Sequence, residues 1–162
     1  MKTSLQLCMQ YQPDSLTLLL HGLTEEQIRS RPIPDKWSIH ENIVHLARYN
    51  EIFKDRIVQI VQSTNTPMFQ QYKAENDKGF YDWQQKSFVE LLNDFREDRH
   101  NLNNYLVSLS KEQLQKTGQH PVYGLINVEG WAELFLLHEA HHFWTIAKLA
   151  PQVNNSRIFG MY

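Results

Sequence analysis

The stretch that decides the reading of this chain is NVEGWAELFLLHEAHHFWTIAKLA, residues 127–150. It has no interior proline. Asn127 is a suitable N-cap and Pro151 follows at once, so the pattern predicts one long helix from Asn127 to about Ala150. On a wheel with steps of about 100°, Trp131, His142 and Leu149 fall within about 40° of His138, and Leu134 and Thr145 lie as close on its other side. His138 and His142 are therefore expected in the middle of the core-facing stripe. His141 is placed about 60° round, on the flank, and Glu139 about 100° round, at the stripe's edge.

Two imidazoles one turn apart on a buried face can converge on one ion, and neutral imidazole is a common ligand for borderline metals. The competing reading is a pair of core histidines satisfied by hydrogen bonds. Two in register on an apolar stripe favour the metal, because burying unpaired polar groups is costly. A third ligand is needed. The segment from Phe143 to Tyr162 contains no His, Asp, Glu or Cys, so that ligand must lie upstream. His45, between Val44 and Leu46, sits at the edge of the apolar stripe of its own helix near Tyr49 and Ile52, and is the choice made here. His40 should face the solvated side. His21, His100 and His120 read as surface or loop residues, although His120 can approach the site from its loop. The string His138-Glu139-Ala140-His141-His142 also fits the zinc-protease pattern H-E-x-x-H. Such proteases commonly take a further ligand downstream, where this chain has none, so that reading is set aside.

Outward from this helix the chain reads as three more. The first starts near Thr3 and carries Leu5, Cys8 or Met9, Gln12, Leu16, Leu19 and Leu23 at three- and four-residue spacing, with Pro13 to kink or divide it. Thr24 and Gln27 form a capping-box pattern, and the prolines at 32 and 34 force extended backbone. Ser38 and Glu41 open the second helix, whose face of Ile39, Ile43, Leu46, Phe53, Ile57 and Ile60 runs to about Gln62. Residues 63–82 are polar but carry Phe69, Tyr72, Phe80 and Tyr81, so this loop should fold over the bundle. The third helix is expected from about Asp82 to Leu109, with the seam Phe88, Leu92, Phe95, Arg99, Leu102, Leu106, Leu109. Arg99 interrupts that seam and should bury its stem and find a carboxylate. No strand is expected. The fold class is all-α: a four-helix bundle with long crossover loops, one domain over residues 1–162.

Bulk properties narrow the function. The 162 residues suit one hydrophobic core, and a net charge of −2 gives no footprint for nucleic acid or an anionic membrane. No apolar run approaches a membrane span and no signal peptide is evident, so a cytoplasmic location is expected. The single cysteine, Cys8, cannot form an internal disulfide or supply a cysteine-based metal site.

Three groups of residues carry a family resemblance. The first is Leu23-Thr24-Glu25-Glu26-Gln27 with Lys36-Trp37-Ser38 and Ile43-Val44-His45-Leu46. The second is the aromatic loop from Pro67 to Trp83. The third is Glu129-Gly130-Trp131 with Leu137-His138-Glu139-Ala140-His141-His142. Together they resemble the DinB-like superfamily, near its YfiT-like branch of metal-dependent hydrolases. The resemblance implies a four-helix bundle, often dimeric, with zinc or nickel held by three histidines, here His45, His138 and His142. It implies a small-molecule substrate, with hydrolysis or thiol S-transfer of the bacillithiol type as the reaction. Relatives near the hydrolase branch often carry a further histidine where this sequence has Thr145.

Three histidines without a carboxylate or thiolate leave coordination positions open, as catalytic sites do. The expected cofactor is a divalent metal, zinc first and nickel next, activating water or a thiol. No general base can be named from the sequence: Glu139, His141 and Tyr49 are near enough to be candidates, but each reads better as a supporting, packing or surface residue. The rival class is a non-enzymatic helical module that binds metal or serves a stress response.

Overall fold

The computed structural model describes residues 1–154; residues 155–162 of the expected domain lie outside the described residues. Helix α1 (Thr3–Tyr11) and helix α2 (Asp14–Leu20) form one broken rod, divided at Pro13. Helix α3 (Glu25–Arg29) follows with the Thr24–Gln27 capping box formed. Helix α4 (Ile39–Gln62) begins at the Ser38–Glu41 capping box and ends at Gln62, as its pattern predicts.

The expected third helix is two. Helix α5 (Lys78–Gln84) belongs to the crossover, and helix α6 (Phe88–Ser108) begins afresh because Ser87 and Glu90 cap it reciprocally. Within its seam Phe95, Arg99, Leu102 and Leu106 are buried, but Leu91 takes the deep position expected of Leu92. Helix α7 (Lys111–Gln115) is a short turn capped by Ser110.

A second correction is a hairpin where no strand was expected. Strand β1 (Thr117–His120) pairs antiparallel with strand β2 (Gly124–Asn127), from Thr117 opposite Asn127 to His120 opposite Gly124. Four-residue strands are too short to show an alternating pattern. The turn closes at Gly124, whose φ of 78° is left-handed. The crossover pairs alongside: the Gln119 N–H donates to the Pro67 carbonyl at 2.8 Å, and the Phe69 N–H to the Gln119 carbonyl at 3.2 Å.

Helix α8 (Val128–Val153) is capped by Asn127 and runs past Pro151 rather than stopping at Ala150. Proline is tolerated there because, in the last turn, only the bond to the Ala147 carbonyl is lost.

Buried residues form two apolar clusters, one at each end. Leu16 and Leu20 of α2, Ile39 and Ile43 of α4, Leu91 and Phe95 of α6, and Ile146 and Leu149 of α8 share one. Leu5 and Met9 of α1, Phe53 and Ile57 of α4, Leu102 and Leu106 of α6, and Val128 and Trp131 of α8 share the other. Hence α4 and α6 run the same way, and α1–α2 and α8 run against them. Parallel packing of α4 on α6 requires a return of a full helix length, and residues 63–87 provide it. Between the clusters lies a polar waist of His45, Asn50, Arg99, Asn103, Glu139 and His142. No helix among the described residues is long and apolar enough to cross a membrane.

Candidate metal centre

The waist holds the functional candidate. Helix α4 delivers His45 and α8 delivers His138 and His142. One ring nitrogen from each lies within 4.8 Å of one from each of the others. The Nε2 atoms of His45 and His138 are 3.0 Å apart. The ring centroids are 5.0 Å apart for His45 and His138, 4.5 Å for His45 and His142, and 4.7 Å for His138 and His142. The sequence therefore named the residues that meet, and from the correct two helices.

The tautomer of His142 follows from its partner. Asn42, in the first turn of α4, donates from Nδ2 to the Ser38 carbonyl at 2.8 Å, which turns its Oδ1 toward His142. His142 Nδ1–H donates to that oxygen at 2.9 Å, leaving the Nε2 lone pair for the cluster. A histidine oriented this way is a typical metal ligand. The Nδ1 atoms of His45 and His138 are buried without protein partners among the described residues. Burial, with the neighbouring imidazole second, lowers the pKa of each of the three to about 3. At neutral pH all three are uncharged and keep a free lone pair, as a metal requires. Metal–imidazole bonds of about 2.0–2.1 Å put adjacent ligands about 3 Å apart, which the His45–His138 separation matches. The donor set fits a divalent ion.

Aromatic rings surround the trio. Trp37 lies 5.0 Å and Tyr72 5.5 Å from the His45 ring, and Tyr49 lies 4.4 Å from that of His138. Burial raises the Tyr49 pKa, so it keeps its proton. The crossover supplies Tyr72 and is tied to α4 by Arg48, which donates from Nε to Asp77 at 2.7 Å and from Nη1 to Glu51 at 2.6 Å. Asp77 in turn accepts from the Tyr72 hydroxyl at 3.1 Å.

Among the described residues, two cavities flank the trio. One of about 440 Å³ reaches His142 and is lined by Trp37, Lys36, Asn42, Thr145 and Lys148. The other, of about 330 Å³, reaches His138 and is lined by Tyr49, His120, Trp131 and Phe135. His141 lines both and is exposed, on the flank where the wheel put it.

The wheel erred in one respect. The buried positions of α8, among them Phe135, Glu139 and Ile146, centre about 80° from His138. His138 is thus at the stripe's edge and only half-buried, and Glu139 is near the middle. Glu139 is 1% exposed, pairs with Arg99, and accepts from Gln12 Nε2 at 2.9 Å. Burial pushes its carboxyl above the usual range, with Arg99 pulling it back. Its oxygens are taken by Arg99 and Gln12 and it is not a member of the histidine cluster, consistent with setting aside the protease pattern, and Arg99 finds its carboxylate as expected. The hydrophobic alternation of α8 could not show this, because a charged pair occupies the core centre. The apolar stripe was read around the histidines instead.

His40 is the other correction. It is 3% exposed rather than solvated, because α3 and the segment before α4 cover that face. His120 stays outside the trio on the hairpin, stacked 4.8 Å from Tyr123, and His21 and His100 are exposed as expected. Asn42 was missed. Its signal was a buried asparagine on the first turn of α4, three residues before His45.

A helical bundle with an all-imidazole cluster beside two cavities places the chain in a recognisable class of fold and site. The sequence model of the DinB superfamily matches residues 9–146, and the chain belongs to that superfamily. It is similar to the uncharacterized protein YuaE of Bacillus subtilis (strain 168), 22% identical over 153 residues that cover 85% of this chain and 91% of that one. Its fold is similar to that of YfiT from Bacillus subtilis, described as a probable metal-dependent hydrolase with an unusual four-helix bundle topology. That match has a TM-score of 0.77 and 18% identity, covering 92% of this chain and 85% of YfiT. TT2238, described as a four-helix bundle protein, superposes with a TM-score of 0.66 and 16% identity, covering 90% of this chain and 97% of that one.

Proposed function

We propose that this protein is a metal-dependent enzyme in which His45, His138 and His142 hold a divalent ion, zinc first and nickel next, for hydrolysis of a small-molecule substrate. The observation that carries the proposal is the convergence of three neutral imidazoles at the wall of two cavities, with no carboxylate or thiolate among the described residues to close the set. When bound, such an ion lowers the pKa of a coordinated water toward neutrality or binds a thiol as thiolate. Asn42 orients His142 through its Nδ1–H. Trp37 and Tyr72 exclude water from the His45 side. The similarity to YfiT supports hydrolysis.

A second reading is S-transfer with a low-molecular-weight thiol of the bacillithiol type. It draws on the larger cavity, where Lys36 and Lys148 form no ion pair among the described residues and would meet anionic groups. The reading also carries a homodimer, measurable by light scattering, and a cytoplasmic setting.

Metal analysis of protein purified without a histidine tag tests the site. One ion per chain is expected, and His142→Ala should abolish it; full retention would remove the ligand assignment. An ester and amide hydrolysis screen, set beside a thiol-transfer assay with an electrophilic model substrate, separates the two reactions. Silence in both, with metal bound, would favour a non-enzymatic metal-binding module.

A further inference from the structure

The smaller cavity has an electrostatic peculiarity. Arg56 is 8% exposed, yet no carboxylate lies within ion-pair distance of it among the described residues. By contrast Arg31, Arg48 and Arg99 each have one. Its guanidinium is packed among three rings, 5.5 Å from Phe69, 5.8 Å from Trp131 and 6.0 Å from Tyr49. It donates from Nη2 to the Gln70 carbonyl at 2.8 Å and from Nη1 to the Tyr49 hydroxyl at 3.4 Å. Buried charge without a counter-charge is costly and rare, and an anion nearby would relieve it.

Tyr49 and Trp131 separate Arg56 from the cavity beside His138, whose lining includes no Asp or Glu. Beside His138 and His141, two side chains of this wall, Tyr49 and His120, each have a donor left over. The Tyr49 oxygen accepts from Arg56, so its own proton remains to be given elsewhere. His120 Nδ1 accepts from the backbone N–H groups of Val122 and Tyr123, each at 3.1 Å, so the neutral ring carries its proton on Nε2. Burial, with the Arg56 charge second, lowers the His120 pKa and keeps the ring in that form. A carboxylate, which only accepts, complements such a wall.

We propose that the aromatic cavity beside His138 is a subsite for a carboxylate-sized anionic group of the substrate, held by Tyr49 Oη–H and His120 Nε2–H in the field of the buried Arg56. The inference rests on the reading above in one respect: a group so held presents its adjoining bonds to the histidine trio. Tyr49 and His120 are then specificity-determining residues, and the hairpin is the element that brings one of them to the site.

The test uses the full chain after chelator treatment, with benzoate and benzyl alcohol as probes in isothermal titration calorimetry. Benzoate should bind at least about tenfold more tightly than the neutral alcohol. Tyr49→Phe and His120→Asn should each weaken benzoate by about tenfold and leave benzyl alcohol unchanged, which also shows that the variants are folded. Equal binding of the two probes, no binding of benzoate, or equal loss of both in the variants would overturn the subsite. Loss of benzoate in Lys148→Met with retention in Tyr49→Phe would move the anion to the larger cavity and overturn it too. Zinc stoichiometry, measured separately, tells the two readings apart. Intact benzoate selectivity without zinc binding sinks the metal centre alone, and zinc binding without selectivity sinks the subsite alone.

Discussion

Replacing Glu139 by leucine should cost this protein more than any single substitution on its surface, and a second substitution should restore most of the loss. The Arg99 and Glu139 side chains are 3% and 1% exposed and pair across the waist between α6 and α8. The guanidinium lies 4.3 Å from the Phe135 ring centroid, and its Nε and Nη1 have no partners among the described residues. Water therefore cannot rescue it once the carboxylate is gone. Removing one member of a buried pair costs about 3–5 kcal/mol, because the other charge stays behind. Glu139→Leu also strips an acceptor from Gln12, which keeps its 3.0 Å bond to the Leu136 carbonyl. Against a total stability of about 5–15 kcal/mol, a 3–5 kcal/mol loss lowers Tm by about 10 °C or more for a chain of this size. Arg99→Met should cost a similar amount. The double variant Arg99→Met with Glu139→Leu leaves no orphan charge and fills the volume with hydrocarbon, so it should return to within about 1–2 kcal/mol of the parent. Urea unfolding at pH 7.5, followed by far-UV circular dichroism on metal-free protein, measures all four corners of the cycle. If the double variant is as unstable as the sum of the singles, or if each single costs under about 1 kcal/mol, the account of the waist as a charge-paired core is wrong. Zinc stoichiometry of Glu139→Leu at saturating metal should be unchanged, since the carboxylate is not a member of the histidine cluster.

Asn42→Ala removes the acceptor that orients His142. It should weaken zinc about 10–100-fold in competition with a chromophoric chelator, and an unchanged affinity would refute the orienting role. His40 has its pKa lowered to about 4, by burial first and the Arg29 charge second. Its folded-state pKa is depressed, so stability is full above about pH 6.5 and falls as pH drops toward 4. Relative to His40→Leu, the parent should lose about 2–3 kcal/mol between pH 7.5 and pH 4.5 in urea titrations, and parallel curves for the two proteins would contradict the burial argument. At Gly118 an added Cβ would lie 2.7 Å from Ile60 Cδ1 and 2.9 Å from Phe69 Cε2. Gly118→Ala should therefore destabilise by about 1–3 kcal/mol, and a neutral Tm would mean that the hairpin packs less closely than described.

The parts of this molecule that were legible in its sequence share a physical cause. The capping boxes at Thr24 and Ser38 are local, so helix starts could be read without knowing the fold. The box at Ser87 is as local as the other two, and reading it would have separated α5 from α6. The hairpin was not legible, because its stability comes from docking on Pro67 and Phe69 rather than from its own eight residues. The two helices that bring the histidines together could be named because histidine in an apolar run is costly unless it is used. The orientation of α8 could not be derived that way.

That failure points to what the waist does. A periodicity argument assumes that the deepest positions are apolar, and here the deepest position on the central turn of α8 is Glu139. Its pairing with Arg99 rotates the helix so that His138 and His142 come to the stripe's edge, where both cavities reach them. With the apolar stripe centred on His138, the same sequence would bury the imidazoles behind hydrocarbon, with no access for a ligand. The ion pair, weak as a source of net stability, fixes the rotation of the helix that carries two of the three imidazoles. Its replacement by Met and Leu should then keep the fold while loosening that rotation. The measurable consequence is a zinc affinity that falls in the double variant even where its urea midpoint does not, and equal affinities would show that packing alone sets the register of α8.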